Sequence, residues 1–238
     1  SSAASDVYKR QMLNTCIKIF FLFVFWFINS FSQHKVIFVN YGPESPPSSG
    51  DFYYMQLIHF KVPASLEKPA FIRLYDIGCG GEFDSKFGDE CSKIQVTLFN
   101  DFVDENSFTL GLKSFDEKNL SVFLSKVIAD EEEYINKWIT FAQLNENKGT
   151  LIDGFRYYSL LIKSLNGNDA NGFDVFLSSS SESNIEIPAA KILCYEPTLR
   201  IQTSAKRYTF RLEQRDNESS YTIRNFDFDN SALAYSSF

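Results

Sequence analysis

The sequence predicts an all-β protein, an antiparallel β-sandwich of the jelly-roll or immunoglobulin-like type. Short segments rich in β-branched and aromatic residues alternate apolar with polar positions, as half-buried strands do. Clusters of Gly, Asn, Asp and Ser separate most of these segments and predict turns. Many short strands joined by turns favour two packed antiparallel sheets over a fold of alternating strands and helices.

The alternating segments place the strands along the chain. Residues 120–128 are ambiguous, because Leu120, Phe123, Leu124 and Val127 fit helical spacing while part of the run also alternates. We expect a short helix or an irregular excursion there. The predicted strands are, in chain order, 35–40, 52–62, 70–76, 93–99, 107–112, 137–143, 155–164, 172–178, 191–202, 207–214 and 220–226.

The N-terminal residues predict export. Residues 1–11 precede Met12 and resemble a translated sequencing adaptor, so they are left out of the fold prediction. Residues 12–32 read as a signal peptide: Lys18 precedes an apolar run over 19–28, and Ser30 and Ser32 offer a cleavage site. The run is shorter than the roughly 20 residues of a membrane-spanning helix. No span is therefore expected after cleavage, and the chain is expected to be secreted to the periplasm, the outer-membrane surface or the extracellular space.

The remaining chain divides into a predicted β-sandwich domain over 33–202 and a C-terminal part over 203–238. That part predicts further strands or the truncated start of a second β domain, since the chain stops directly after an alternating run.

The composition excludes several classes of function. The chain has 23 Lys+Arg against 30 Asp+Glu, a formal charge of −7, and lacks a dense basic stripe, so a nucleic-acid partner is not expected. Its two histidines, His34 and His59, are too few for a multi-histidine metal site.

Three cysteines remain after the predicted cleavage. Cys79 and Cys91 flank a short loop, and bridging it in an oxidising compartment would contribute about 3 kcal/mol by the chain-entropy estimate. We expect that disulfide. Cys194 lies in an apolar stretch and is expected to be buried. Pairing of Cys194 with either of the other two stays open, because sequence alone does not fix connectivity.

Two loops carry clustered oxygen-bearing side chains. The loop DIGCGGEFD at 76–84 follows a predicted strand, and GNDANGFD at 167–174 leads into another. Carboxylates and amide oxygens on a turning backbone suit calcium, which accepts six to eight such ligands. The expected ligands are Asp76, Asp84, Asp169, Asn171 and Asp174. A third loop at 225–230 offers alternate acids. The alternative is that these residues only form Asx turns and positive-φ positions.

An enzymatic role is not expected. A carboxylate pair such as Asp76 with Glu82 or Asp84 would suit glycoside hydrolysis, but sequence does not set their separation. The chain also lacks GxSxG, P-loop and GxGxxG motifs. A row of Tyr53, Tyr158 and Trp138 would instead suit a carbohydrate-binding module of a larger secreted enzyme, although aromatic residues in strands are commonly core.

Several passages resemble a family of proteins. AFIRLYDIGCGGEFD at 70–84 is similar to a strand-to-loop passage in the N-terminal part of large secreted proteins of Bacteroidetes, some of which carry a downstream OmpA-like domain. In the same order, 157–178, 194–201 and 223–232 resemble further strands and turns of that region. The family's Asp-Pro-Asp is Asp76-Ile77-Gly78 here, which removes one carboxylate, whereas Asp169 and Asn171 are retained.

The resemblance implies a secreted β-sandwich with no established reaction. Taken with the residues above, it predicts a non-catalytic structural or adhesion-type module of the bacterial cell envelope, stabilised by calcium. Its partner would be an unidentified envelope or extracellular protein or glycan.

Overall fold

The protein is seen in a computed structural model that describes residues 37–46, 54–86, 91–103, 120–145, 147–194 and 197–200. The chain separates into two compact units, Ser1–His34 and Lys35–Phe238, and all described residues belong to the second. The strands of that unit are β1 (Phe38–Tyr41), β2 (Met55–Pro63), β3 (Phe71–Tyr75), β4 (Lys93–Phe99), β5 (Val122–Ile128), β6 (Trp138–Gln143), β7 (Thr150–Ile152), β8 (Phe155–Asn166), β9 (Ala170–Ser178) and β10 (Lys191–Cys194).

The strands form two antiparallel sheets, which confirms the predicted all-β class. The smaller sheet has the order β1-β9-β3-β6. The larger has the order β10-β2-β8-β4-β5, with β7 added to β8. Neighbouring strands are mostly distant in sequence, so the sheets depend on long-range pairing. In the described part of the chain the only helix is a single 3-10 turn, Glu132–Tyr134.

The main core lies between the two sheets. Alternate residues of each strand face it, as a half-buried strand requires. Ile58, Phe60 and Leu160 come from the large sheet, and Leu74 and Phe173 from the small one; all five are fully buried. The sandwich predicted from the alternation is therefore the packing that the structure shows.

A second apolar cluster covers the outer face of the large sheet. Met55, Leu57 and Leu161 pack there against Phe99 and Val103. Because of this cover, β2 and β8 are buried on both faces, and the short loop after β4 is fixed against them.

A buried histidine lies in this outer layer. The Nδ1 of His59 is 3.0 Å from Ser159 Oγ, and its ring centroid is 4.8 Å from that of Phe102. The Ser159 hydroxyl donates to the carbonyl of Asp101 and accepts from the N–H of Val103. Burial lowers the pKa of His59 to about 4, so the imidazole is neutral near neutral pH.

The structure corrects three details of the predicted elements. Residues 122–128 form the strand β5, not a helix. Its side chains from Val122 to Val127 are exposed on both faces and Ile128 is buried, so no single buried face imposed a period of two. β7 was not expected, although the Asp153-Gly154 turn with positive φ at both positions is a hairpin signal. Strand 191–202 is shorter than predicted, since β10 ends at Cys194. The signal peptide and the predicted strands 107–112, 207–214 and 220–226 lie outside the described residues.

Candidate functional site

The predicted disulfide closes the connection between β3 and β4. Cys79 and Cys91 are joined, with their Cα atoms 5.9 Å apart. The chain leaves β3 through Asp76, whose φ of 55° lies in the left-handed region that Asp tolerates better than most residues. Cys194 is half-buried in β10, with its Sγ 3.4 Å from the carbonyl oxygen of Leu57.

Asp76 holds the start of this connection in place. Its side chain is fully buried; Oδ1 accepts from the N–H of Asn136 at 2.7 Å and Oδ2 from the N–H of Phe83 at 3.2 Å. The carboxylate packs so closely on Gly81 that a Cβ there would lie 1.8 Å from Oδ1. Burial is the largest cause of a raised pKa at Asp76, and the two backbone donors oppose it.

Asp84 attaches the same connection to the small sheet. Its Oδ2 accepts from the N–H groups of Gly80 and Gly81, at 2.6 and 3.2 Å, and its Oδ1 from the N–H of Gly172 in β9 at 2.8 Å. Burial raises the pKa of Asp84 to about 7, and the nearby charge of Asp76 adds to the rise. Arg200 donates through Nη1 to the carbonyl of Phe83. Burial lowers the pKa of Arg200, and the charges of Tyr41 and Asp84 oppose that shift.

The second predicted loop lies against the first. The buried Asp169 carries a backbone carbonyl that accepts from the N–H of Gly42 and from Ser92 Oγ, both at 2.9 Å. Asn171 donates through Nδ2 to the carbonyl of Ile77 at 2.9 Å, while its buried Oδ1 has no hydrogen-bond donor among the described residues. Asp174 lies opposite Tyr75, and its Oδ1 accepts from the N–H of Val175.

The two loops therefore meet, but their carboxylates do not form a compact cluster. Among the described residues, the one set of three acidic, Cys or His ligand atoms within 4.8 Å of one another is Cys79, Cys91 and Asp169. Both sulfurs of that set are in the disulfide, so they are not available as thiolates. The oxygens of Asp76 and Asp84 already accept backbone N–H groups, which stabilise negative charge as a cation would. These contacts show that the carboxylates of Asp76 and Asp84 shape the loops.

The two described residues of the expected sugar-binding row, Tyr158 and Trp138, do not form an exposed row. Tyr158 is 2% exposed, and its hydroxyl contacts the carbonyls of Asn145 and Lys148. Trp138 is half-buried on the outer face of the small sheet, where its ring is tilted by 51° to Tyr75 and by 81° to Phe176. Tyr53 and the loop at 225–230 lie outside the described residues.

Three residues that hold the site were not anticipated from the sequence. Asn136, Gly172 and Arg200 reach the β3–β4 connection from three distant points of the chain. Asn136 has a positive φ of 53°, a conformation that Asn adopts more readily than most residues, so its position in a turn has a local sequence signal. The contacts of Gly172 and Arg200 depend on tertiary structure alone.

No helix in the described part of the chain has the length and apolar character needed to cross a membrane. Comparison of the chain with known protein families, with curated proteins and with solved structures finds no match.

Proposed function

We propose that this chain is a secreted, non-catalytic module of the bacterial cell envelope with a structural or adhesion role. The proposal rests on one observation: the polar groups of the β3–β4 connection bind backbone groups and so hold the connection in place. A disulfide closes the connection, and Asp76 and Asp84 bind its backbone and that of β9. Groups that could perform chemistry thus hold residues 76–86, the described part of the connection after β3, in one conformation.

Such a loop suits a protein that meets partners outside the cell. The disulfide is stable in an oxidising compartment, which agrees with the apolar run at 19–28. A fixed loop binds a partner without a large ordering cost, because its conformational entropy is already lost.

Export is tested by fusing alkaline phosphatase, which is active only after export and oxidation, behind Phe238 of the full chain in a Gram-negative host. We expect enzyme activity and a Cys79–Cys91 disulfide in the mass spectrum of the mature protein. A matched fusion carrying Val24→Asp interrupts the apolar run and is expected to be inactive. Equal activity of both fusions, or none in either, would contradict the export part of the proposal.

Calcium binding at Asp76, Asp84, Asp169, Asn171 and Asp174 is a separate part of the proposal. A cation bound only by the native state raises stability by about 2.7 kcal/mol at a hundred times its dissociation constant. Thermal unfolding of the oxidised protein, with calcium and then with excess chelator, measures this effect. We expect a calcium-dependent rise in the melting temperature that Asp169→Ala abolishes and that the exposed control Asp130→Ala retains. An unchanged melting temperature would leave the loops as Asx turns without a metal.

A further inference from the structure

A cleft opens where two connections cross between the sheets. One connection runs over 64–70, from β2 to β3, and the other over 144–149, from β6 to β7. The cleft has a volume of about 660 Å³, within the usual range for small-ligand sites. Its floor is apolar, with Val62, Leu144 and Tyr158 buried. Its rim is formed by the exposed side chains of Glu67, Lys68, Phe123, Gln143, Asn145 and Asn147.

One wall of the cleft is fixed before any ligand arrives. The Tyr158 hydroxyl lies 2.6 Å from the carbonyl oxygen of Asn145 and 2.9 Å from that of Lys148. Arg156 donates through Nη1 to the carbonyls of Lys148 and Gly149, at 3.2 and 3.4 Å. Gly149 has a φ of +84°, and a Cβ there would lie 2.7 Å from Tyr158 Cζ. These contacts hold the wall in one shape, which lowers the entropic cost of binding.

The charge of the lining favours an acidic ligand. Among the described residues that line the cleft, Arg156 and Lys68 accompany one acid, Glu67, whereas the whole chain carries a formal charge of −7. Arg156 and the exposed Lys68 both line the cleft. A guanidinium and an ammonium both form charge-assisted hydrogen bonds with carboxylates, so these two side chains favour a ligand that carries carboxylate groups.

The uncharged groups of the rim favour a sugar. The side chains of Gln143, Asn145 and Asn147 each carry donors and an acceptor, which match hydroxyl groups that do both. Phe123 is 42% exposed and offers an apolar surface to a sugar ring. We propose that this cleft binds a short oligosaccharide that carries carboxylate groups, of the uronic acid type. The proposal goes beyond the structural role argued above and does not depend on it.

The test is isothermal titration of the oxidised full chain with tetragalacturonate and with its methyl ester. The two probes share rings and most hydroxyls and differ in charge. We expect the acid to bind at least about tenfold more tightly than the ester, the size of one charged hydrogen-bonded contact. The exposed Lys68→Gln should reduce binding of the acid and leave binding of the ester unchanged. Arg156→Gln should reduce binding of the acid more than binding of the ester, because Arg156 also holds the wall through Lys148 and Gly149. Phe123→Ala should weaken binding of both probes. Leu151 is exposed on β7 outside the cleft, so Leu151→Ala should change binding of neither probe.

Several results would overturn the proposal. If neither probe binds at millimolar concentration, the cleft is not a sugar site. Equal binding of the acid and the ester would refute the acidic specificity. Equal binding of tetraglutamate and tetragalacturonate would assign the cleft to acidic peptides instead. Because Lys68 is exposed and holds no loop, its variant tests the charge argument even if Arg156→Gln fails to fold.

Discussion

His59 gives the chain a dependence of stability on pH that one substitution should remove. The side chain is fully buried, with Nδ1 3.0 Å from Ser159 Oγ and the ring beside Phe102. The perturbation is His59→Asn. An asparagine amide can take the place of Nδ1 at Ser159, and it does not titrate.

The magnitude follows from the two pKa values of the histidine. Burial lowers the native pKa to about 4, while the unfolded chain keeps the ordinary value of 6.5. Between these values the unfolded state binds a proton that the native state does not, so falling pH favours unfolding. The contribution is fully present above pH 6.5 and is lost as the pH falls toward 4. The gap corresponds to about 3 kcal/mol.

The assay is urea unfolding of the oxidised wild type and of His59→Asn at a series of pH values from about 7.5 down to about 4. The difference in unfolding free energy between the two proteins removes the contributions of other titrating groups. We expect the wild type to lose about 3 kcal/mol relative to the variant over this range. Met55→Leu, in the same outer cluster, is the control and should shift stability equally at every pH.

A difference that stays constant across the range would mean that His59 titrates alike in the native and unfolded states and that burial does not lower its pKa. A difference that moves the opposite way would mean that the native protein stabilises the imidazolium.

Three further outcomes are expected. Asp84 has a pKa of about 7 in the native state and the ordinary value of 3.8 in the unfolded chain, so its contribution to stability is present below pH 3.8 and is lost as the pH rises through 7. In the same assay the wild type should lose stability relative to Asp84→Asn as the pH rises. A stability difference that does not change with pH would contradict this expectation. Replacing Cys79 and Cys91 together by Ser should lower the unfolding free energy by about 3 kcal/mol, measured by urea unfolding without reductant, and a loss under about 1 kcal/mol would mean that the disulfide barely constrains the unfolded chain. Gly81→Ala brings a Cβ against Asp76 and should cost about 2 kcal/mol, more than Gly154→Ala, whose Cβ meets nothing within 4 Å although its φ is +77°; equal losses in urea unfolding would show that the loop adjusts freely.

The strands with one clear buried face were predictable from sequence. β4 has the predicted bounds, Lys93–Phe99, because Ile94, Val96 and Leu98 alternate into the core. β5 was not predictable from sequence. Its apolar side chains Val122, Phe123, Leu124 and Val127 are all more than a third exposed, so burial imposes no period on them. A periodic sequence pattern arises where one face of a strand is buried, so an edge strand that lacks a buried face is hard to predict from sequence.

The candidate site was predictable in its parts but not in its arrangement. The disulfide follows from the short spacing of Cys79 and Cys91. The position of Asp84 against Gly172 does not, because 88 residues separate them and only the pairing of β9 with β3 brings them together. Sequence shows which carboxylates lie near glycines. Tertiary structure decides whether backbone N–H groups or a cation compensate them.

β5 is the terminal strand of the large sheet among the described residues, and this position bears on solubility. An exposed apolar edge strand can pair with the same strand of another molecule and start aggregation. Lys126 is the single charged residue in the strand sequence VFLSKVI, and its Nζ is placed by Tyr134 and by Glu133, 4.0 Å away. A charge in such a segment acts as a gatekeeper, since pairing edge to edge would bring like charges together or strip them of water. We therefore expect Lys126 to limit edge-to-edge association at β5, the most exposed of the described strands.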